Sequence, residues 1–382
     1  MSIYIVDDNP INLTIIEQML RKAGYHDILK TTAVKELFDY LHMNEEVPSA
    51  SNVDLILMDL MMYEVDGIEA TRRIQQIDSL KDIPIIIVTA LGDSEKLAEA
   101  LDAGAIDYVM KPLNKVELLA RIRVALRLKF EKDWHKDQED RIRTELNLAK
   151  QVQMSILSVP LNDTRISINA TYRPSSLLAG DLYAWNQIDE HRYGIILLDV
   201  MGHGISSSLV GMYISSVLKD TIINFVDPIE VITELNHRMN RLDIKDPFIQ
   251  YYFTAIYLMV DTEKGEVEYI NAGHPPGFVQ ANNQIYELTE GCCAVGLFPE
   301  MSMQKGIIKY DSEMNILLYT DGLMEHVNVH DEKGMEQVVN IWLSSEKQEA
   351  DELFDQCVSE ETVELQEDDI CMILIHASRM SN

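Results

Sequence analysis

The chain has 382 residues, 47% hydrophobic and 25% charged, so it can build hydrophobic cores and is too long for one ordinary domain. Its 63 acidic residues outnumber 32 basic ones, a formal net charge of −31 that argues against nucleic acid or an anionic membrane surface as the main partner. No apolar run approaches the ~18 residues that span a bilayer, and no basic segment precedes the first apolar residues. We therefore expect a cytoplasmic protein without a membrane span or signal peptide. The four cysteines lack CxxC spacing, which argues against disulfides or zinc and favours hard cations held by carboxylates.

Residues 1–126 alternate short apolar runs with segments whose apolar residues have helical spacing. The runs begin at Ile3, Ile28, Asp54, Pro84 and Asp107. Runs such as LILM and IIIV are apolar on both faces, which is typical of parallel strands covered on both sides. The pattern predicts a doubly wound α/β domain with a five-stranded parallel sheet.

Residues 127–156 form a segment without glycine or proline, rich in helix-forming residues. One helix, or two abutting helices, is expected to connect the two halves of the chain. An apolar seam has the spacing of a coiled coil or of a core face, and its members are Ile142, Leu146, Ala149, Val152 and Ile156. Residues 133–141 are almost entirely polar, so a dimerising helix and a solvated spacer are both compatible with this segment.

Residues 157–382 contain many apolar runs of strand length, interrupted near the middle by two helical stretches. The helical stretches cover about 203–225 and 228–242. Short turns at 262–266 and 281–284 join consecutive strands and favour antiparallel pairing. The pattern predicts an α+β sandwich of antiparallel sheets with helices packed outside them.

Acidic, hydroxyl and amino side chains stand at strand ends of the first domain. Asp7 and Asp8 follow the first strand, Asp59 and Thr89 end the third and fourth, and Lys111 ends the fifth. Ligands of open parallel sheets bind at this edge, and three clustered carboxylates repel one another unless a divalent cation, naturally Mg²⁺, neutralises them. An aspartate beside Mg²⁺ is a suitable nucleophile toward a phosphoryl group, whose oxygens the threonine and lysine can bind.

The stretches LMDLMMYEVDG around Asp59 and DYVMKP around Lys111 carry a resemblance to a known domain. Residues 1–126 resemble the receiver domain of two-component response regulators. The resemblance implies that a sensor histidine kinase phosphorylates Asp59. It also implies an Mg²⁺ site made by Asp8, Asp59 and the Met61 carbonyl, with Asp7 assisting.

The same resemblance implies a switch in which Thr89 and Tyr108 change rotamer together. Tyr63 departs from the family pattern, because receivers usually carry proline at this position. The departure leaves the phosphoacceptor chemistry intact and bears only on the loop beside it.

A second set of aspartates lies at strand ends and turns of the C-terminal domain, namely Asp181, Asp199, Asp321, Asp368 and Asp369. Glycines beside three of them, Gly180, Gly202 and Gly322, permit tight turns and close backbone approach. Each acid adjoins an apolar strand, where a buried unpaired carboxylate is costly, so two or more Mg²⁺ or Mn²⁺ ions would satisfy the set. Two such metals activate a bridging water and hold phosphate oxygens, which is the chemistry of phosphomonoester hydrolysis.

The ordered motifs AGD, DVMGHG, FTA, NAGHPP, YTDG and DDI run between about Glu145 and His376. They resemble the PPM-type serine/threonine phosphatases, in particular the bacterial branch that contains the sporulation and stress-response sigma-factor phosphatases. The resemblance implies that Asp199 bridges two metals. It implies further metal ligands at the Val200 carbonyl, Asp321 and Asp368, and water-orienting or outer ligands at Asp181 and Asp369.

Some positions depart from the family pattern without removing a predicted ligand, namely Ala179, Ala184, Met201 and Cys371. Two roles remain open for His203, which either donates a proton to the leaving serine oxygen or hydrogen-bonds a neighbouring loop. His274 is expected to brace the metal-bearing edge. Residues 145–160 resemble the family's regulatory helix, and core packing explains their apolar seam equally well.

Together these resemblances imply a response regulator whose receiver controls a metal-dependent serine/threonine protein phosphatase. The implied substrate is a phosphoserine protein, an anti-sigma-factor antagonist, and the connector offers a route to a homodimer. The alternative is a catalytically inactive, phosphatase-like adaptor that binds proteins under the control of phosphorylation.

Overall fold

The structure is a computed structural model of the chain. It describes residues 1–43, 53–90, 94–242, 251–328, 334–344, 349–358, 366 and 368–379. The chain divides into two compact units, Met1–Ile142 and Arg143–Asn382, and the division falls within the connector segment 127–156. No described helix combines the length and the apolarity that crossing a bilayer requires.

The first unit contains a parallel five-stranded sheet with the strand order β2-β1-β3-β4-β5. Its strands are β1 (Ser2–Val6), β2 (Asp27–Thr31), β3 (Leu55–Asp59), β4 (Ile85–Thr89) and β5 (Asp107–Met110). Every residue of β1, β3 and β4 is buried, because helices cover both faces of the sheet. The predicted doubly wound architecture is confirmed.

Five helices surround this sheet: α1 (Pro10–Arg21), α2 (Val34–Tyr40), α3 (Gly67–Gln75), α4 (Ser94–Asp102) and α5 (Lys115–Ile156). Successive strand residues point to opposite faces, so Ile3 and Ile5 join a core that includes side chains of α1 and α5. Tyr4 and Val6 join the opposite core, which includes side chains of α2, α3 and α4. This alternation holds the strand ends, and the polar residues on them, at one edge.

Helix α5 is continuous from Lys115 to Ile156, so the connector is one helix and not two. The predicted seam is only partly covered. Leu146, Ala149 and Ile156 are half-buried, whereas Ile142 and Val152 are 55% and 51% exposed.

The second unit contains two six-stranded sheets. One has the order β14-β11-β10-β9-β8, with β15 beside β11; its strands are β8 (Leu182–Gln187), β9 (Arg192–Val200), β10 (Phe253–Asp261), β11 (Glu266–Ala272), β14 (Gly291–Cys292) and β15 (Gly306–Lys309). The other has the order β13-β12-β16-β17-β7-β6; its strands are β6 (Leu161–Asn162), β7 (Ile166–Arg173), β12 (Phe278–Ala281), β13 (Gln284–Glu287), β16 (Glu313–Tyr319) and β17 (Ile370–Ser378). All the pairings are antiparallel except that of β11 with β14.

One hydrophobic core contains side chains of both sheets. Helices α6 (Ile205–Phe225) and α7 (Pro228–Asn240) contact the first sheet, in agreement with the two predicted helical stretches. Three shorter helices were not expected from the sequence: α8 (Asp321–Asn328), α9 (Gly334–Ser344) and α10 (Ala350–Cys357). They contribute to a separate apolar cluster with β16 and β17, and their short lengths gave too few helical repeats to mark them. The predicted sandwich with outer helices is confirmed.

Candidate active sites

The edge of the parallel sheet gathers the residues that the first-domain sequence singled out. Asp59 ends β3 opposite Val88, and Thr89 ends β4 opposite Met110. Carboxylate atoms of Asp7, Asp8 and Asp59 all lie within 4.8 Å of one another. Among the described residues this is the one group of three or more such ligands at that spacing. The donor set is all oxygen, which fits a hard divalent cation such as Mg²⁺.

Lys111 joins two of these carboxylates. Its Nζ lies 2.9 Å from Asp7 Oδ2 and 3.0 Å from Asp59 Oδ2. Burial raises the pKa of Asp59 above its ordinary value, although the hydrogen bond from Lys111 acts in the opposite direction. Burial alone would lower the pKa of Lys111, but the two hydrogen-bonded carboxylates outweigh it and raise that pKa. The lysine therefore supplies a permanent positive charge beside the predicted phosphoacceptor.

The remaining predicted receiver residues surround this centre. Thr89 is fully buried, Met61 is exposed two residues after the acceptor, and Tyr63 is 86% exposed. Tyr108 is half-buried, and the Arg121 guanidinium carbon lies 5.6 Å from the centre of its ring. The coordinated rotamer change of threonine and tyrosine stays a prediction.

In the second unit, aspartates from distant parts of the chain lie at strand ends. Asp181 precedes β8, Asp199 lies one residue before the end of β9, and Asp321 begins α8 two residues after the end of β16. Asp368 and Asp369 precede β17. Pairing of β8 with β9 and of β16 with β17 places these strand ends beside each other within each sheet, and the metal-binding role of the aspartates stays a prediction.

Burial and mutual repulsion perturb these carboxyl groups. Burial, and next the neighbouring Asp199, raise the pKa of Asp181 well above its ordinary value. Burial, followed by repulsion from Asp321 and Asp368, raises the pKa of Asp199 to about 7. The Asp181 side chain is buried, and its Oδ2 has no hydrogen-bond partner. A buried, unpaired carboxylate oxygen among like charges fits a site for divalent cations.

Close backbone approach holds two of these aspartates in place. A Cβ atom on Gly180 would lie 2.9 Å from the Val200 carbonyl oxygen, and one on Gly322 would lie 2.1 Å from the Asp369 carbonyl oxygen. Only glycine fits at such separations. The loop before Asp181 therefore lies directly against the carbonyl of Val200, which is itself a predicted metal ligand.

Asp369 holds this loop with both of its oxygens. Its Oδ1 accepts hydrogen bonds from the backbone N–H of Ser175 at 2.7 Å and from the hydroxyl of the same residue at 2.9 Å. Its Oδ2 accepts a hydrogen bond from the Gly180 N–H at 2.7 Å. Asp368 Oδ1 accepts from the Asp369 N–H at 2.8 Å. The sequence did not indicate this loop-holding contact, and the metal-related role of Asp369 stays a prediction.

His274 lies between the two sheets and bonds to both. Its Nδ1 lies 2.8 Å from Thr254 Oγ1, and Thr254 is paired with Asp199 across β10 and β9. Its Nε2 lies 3.1 Å from the carbonyl oxygen of Tyr319, two residues before Asp321. Burial lowers the pKa of His274 to about 3, so the ring is neutral, donating from Nε2 and accepting at Nδ1. The ring therefore braces the edge from which the aspartates project.

His203 stands apart from this brace, in the loop between β9 and α6. Its side chain is exposed, and no hydrogen bond joins it to any residue that the structure describes. The structure thus offers no support for the loop-bonding alternative. A proton-donating role stays a prediction.

Sequence reasoning missed Gln153, on the C-terminal part of α5. The residue is 2% exposed, and its carboxamide is hydrogen-bonded to the backbone of Ala179, two residues before Asp181. A signal existed in the sequence, because position 153 follows Ala149 by one helical turn and is polar on an otherwise apolar face.

Comparison with known families assigns both units. Residues 3–123 match the model of the response regulator receiver domain, and residues 189–378 match that of stage II sporulation protein E (SpoIIE). The chain is therefore a response-regulator receiver domain joined to a SpoIIE-type PPM phosphatase domain.

Individual relatives agree with this assignment. The chain is 39% identical over 184 residues to the phosphoserine phosphatase RsbP of Bacillus subtilis, covering 48% of this chain and 46% of that protein. It is 34% identical over 125 residues to the DNA-binding dual master transcriptional regulator RpaA of Synechocystis, covering 33% of this chain and 48% of that protein. The chain thus spans about half the length of these curated relatives.

A solved structure supports the fold of the second unit. The SiaA-PP2C domain of Pseudomonas aeruginosa superposes with a TM-score of 0.52 at 18% identity, covering 64% of this chain and 99% of that domain. At this level of identity the likeness concerns the fold alone.

Proposed function

We propose that this protein is a response regulator whose phosphorylated receiver controls a metal-dependent serine/threonine protein phosphatase. One observation carries the enzymatic part of the proposal. The buried Asp181, with an unpaired Oδ2, lies in the same electrostatic cluster as Asp199, whose pKa is raised to about 7. Such a cluster is destabilising by itself and becomes favourable when divalent cations occupy it.

In the phosphatase unit, Asp199, Asp321, Asp368 and the Val200 carbonyl would hold Mn²⁺ or Mg²⁺, with Asp181 and Asp369 in outer positions. When bound, the metals activate water and neutralise the phosphate oxygens for in-line attack. The protein contributes a fixed edge, because His274 ties Thr254 to Tyr319 across the two sheets. His203, exposed beside this edge, is the candidate proton donor to the leaving serine oxygen.

In the receiver unit, Asp59 would attack the phosphoryl group carried by a histidine of the kinase, so that its carboxylate O–P bond forms as the P–N bond to that histidine breaks. Asp8, Asp59 and the Met61 carbonyl would hold Mg²⁺, which would neutralise the phosphoryl oxygens. Asp7 assists at the metal, as the 4.8 Å cluster supports. Lys111 pairs with the acceptor carboxylate at 3.0 Å and offers the same ammonium to a phosphoryl oxygen. The hydroxyl of Thr89 would donate a hydrogen bond to a phosphoryl oxygen on phosphorylated Asp59.

The substrate we propose is a phosphoserine in a protein, most specifically an anti-sigma-factor antagonist. The similarity to RsbP, a phosphoserine phosphatase, supports the class of phosphorylated residue. The resemblance to sigma-factor phosphatases supports the kind of protein. We further propose a cytoplasmic location and a homodimer through α5, on which Ile142, Leu148 and Val152 are exposed.

The alternative of an inactive adaptor predicts loss of metal ligands, since clustered carboxylates without a metal destabilise a fold. Aspartate stands at every predicted carboxylate ligand position of this chain. This complete set favours the enzyme over the adaptor.

Hydrolysis of a generic phosphomonoester by the full chain tests the enzymatic proposal. Wild type should hydrolyse it with Mn²⁺ and lose the activity in EDTA, and Asp199→Ala should be inactive at every Mn²⁺ concentration. Asp220→Ala, an exposed aspartate on α6, is the matched control and should retain wild-type activity. Hydrolysis that is absent, or equal in wild type and Asp199→Ala, would favour the adaptor.

A further inference from the structure

The C-terminal end of α5 buries a polar side chain against the phosphatase core. Gln153 is 2% exposed, although its neighbours on the same face, Ile156 and Leu157, pack in the apolar core. Burying a carboxamide is costly unless both its donor and its acceptor are satisfied. The position therefore demands specific partners.

Both partners are backbone groups of one residue. Gln153 Nε2 donates to the Ala179 carbonyl oxygen at 2.7 Å, and the Ala179 N–H donates to Gln153 Oε1 at 3.1 Å. These two hydrogen bonds between Gln153 and Ala179 form a clamp, which fixes the position and the orientation of the backbone at Ala179. Apolar contacts are not directional, so a helix end held by them alone could slide or rotate at little cost. The two hydrogen bonds of Gln153 oppose such a movement.

The clamped residue belongs to the loop that carries Asp181. The next residue, Gly180, donates its N–H to Asp369 Oδ2 and lies against the Val200 carbonyl, so a shift of Ala179 reaches three predicted metal-site groups. The unpaired Oδ2 of Asp181 is two residues from the clamp.

We propose that Gln153 is a positioning residue of the phosphatase metal site, through which the end of α5 sets the placement of Asp181. This inference rests on the proposed metal-dependent function of the unit. Because α5 is one helix from Lys115 to Ile156, rotation by a single residue at its C-terminal end turns a side chain by 100° and breaks both bonds.

The test compares Gln153→Met with Gln151→Met in the full chain. Methionine preserves the volume and length of glutamine but removes both hydrogen bonds, and position 151 is exposed on the same helix. Mn²⁺ binding is measured by calorimetry, and backbone amide exchange is followed in residues 175–182. The receiver ion contributes equally to all these proteins.

Loss of the clamp should weaken Mn²⁺ binding at the phosphatase sites by about tenfold or more, the change that one or two lost hydrogen bonds produce. The Mn²⁺ concentration for half-maximal hydrolysis should rise by the same factor, with substrate KM changed less than about twofold. Amide exchange in residues 175–182 should accelerate in Gln153→Met and stay unchanged in Gln151→Met. A role in anchoring the helix alone would leave the Mn²⁺ affinity at the wild-type value, and that result would overturn the proposal.

Two further outcomes remain decisive. Should Gln153→Met fail to fold, Gln153→Asn keeps an uncharged carboxamide but shortens its reach to Ala179 by one methylene, and weaker Mn²⁺ binding is again expected. Wild-type Mn²⁺ affinity in that variant would refute the clamp. If wild type binds Mn²⁺ but hydrolyses nothing, the proposed activity fails, whereas the binding and exchange measurements still decide the role of Gln153.

Discussion

Asp199→Asn should stabilise the metal-free protein at alkaline pH while removing its response to Mn²⁺. In the folded, metal-free state the carboxyl of Asp199 keeps its proton up to about pH 7, because burial and the neighbouring aspartates raise its pKa. In the unfolded chain the same group ionises near its ordinary value of 3.8. Raising the pH from 5 to 8 therefore removes a proton mainly from the folded state and lowers the free energy of unfolding.

The loss of unfolding free energy follows from the pH range between 5 and the pKa of Asp199, which is about 7. Each pKa unit corresponds to about 1.4 kcal/mol, and the folded carboxyl stays protonated over two pH units above 5, so one group contributes a loss of about 3 kcal/mol. Asparagine cannot ionise and avoids this loss. Bound Mn²⁺ should reverse the order, since it would stabilise the ionised wild type and would find one proposed carboxylate ligand fewer in the variant.

Urea unfolding of the full chain, followed by tryptophan fluorescence in EDTA, measures this difference. Trp185 and Trp342 are buried in the phosphatase unit and report its unfolding. Asp220→Asn, on the exposed side of α6, serves as the matched control and should follow the wild type. Parallel pH dependences of wild type and Asp199→Asn, or equal stabilisation of both by Mn²⁺, would refute the argument that these carboxylates form a strained metal site.

Three further predictions concern the receiver and the inter-sheet brace. Asp8→Asn removes one of three clustered carboxylates and should weaken Mg²⁺ binding to the receiver by about tenfold or more, as calorimetry would show; an unchanged affinity would contradict the assigned site. Lys111→Ala removes the ammonium that pairs with Asp7 and Asp59, so Mg²⁺ should bind several-fold more tightly, and weaker binding would count against this electrostatic picture. His274→Gln should reduce the acid sensitivity of the phosphatase unit, because the folded ring, with a pKa of about 3, excludes a proton that the unfolded ring accepts below about 6.5. Between pH 7.5 and 5.0 the wild type should lose about 2 kcal/mol more unfolding free energy than the variant, and equal losses would show that this histidine does not set the slope.

The sequence predicted the architecture well where the hydrophobic pattern was long and regular. The strands β3 and β4 of the parallel sheet are almost continuous apolar runs, and buried runs of this kind point to a sheet covered on both faces. Helices α8, α9 and α10 were not predicted, because each is 11 residues or shorter and contains few helical repeats of apolar residues. Tertiary packing against β17 fixes them more than their own periodicity does.

The sequence named candidate site residues one by one, and their roles stay predictions, whereas the contacts that hold them in place were not predicted. Aspartates at strand ends are visible in the sequence, since chain reversals mark the ends of apolar runs. The clamp between Gln153 and Ala179 spans 26 residues, and the contact between Asp369 and Ser175 spans 194. Such pairs arise only when the sandwich brings separate elements together, so local pattern could not specify them. The seam of α5 shows the same limit, because spacing alone did not determine which of its apolar residues are half-buried and which are exposed.

The most direct test of the central claim is the rate of phosphoserine hydrolysis by the full chain with Mn²⁺, before and after treatment with an acyl-phosphate donor. The measurement is made on wild type and on Asp59→Asn, whose receiver cannot form the acyl phosphate. Our account predicts measurable hydrolysis by both proteins and a change in rate on treatment that occurs in the wild type alone. Absence of hydrolysis, or an equal response of Asp59→Asn to the donor, would contradict it.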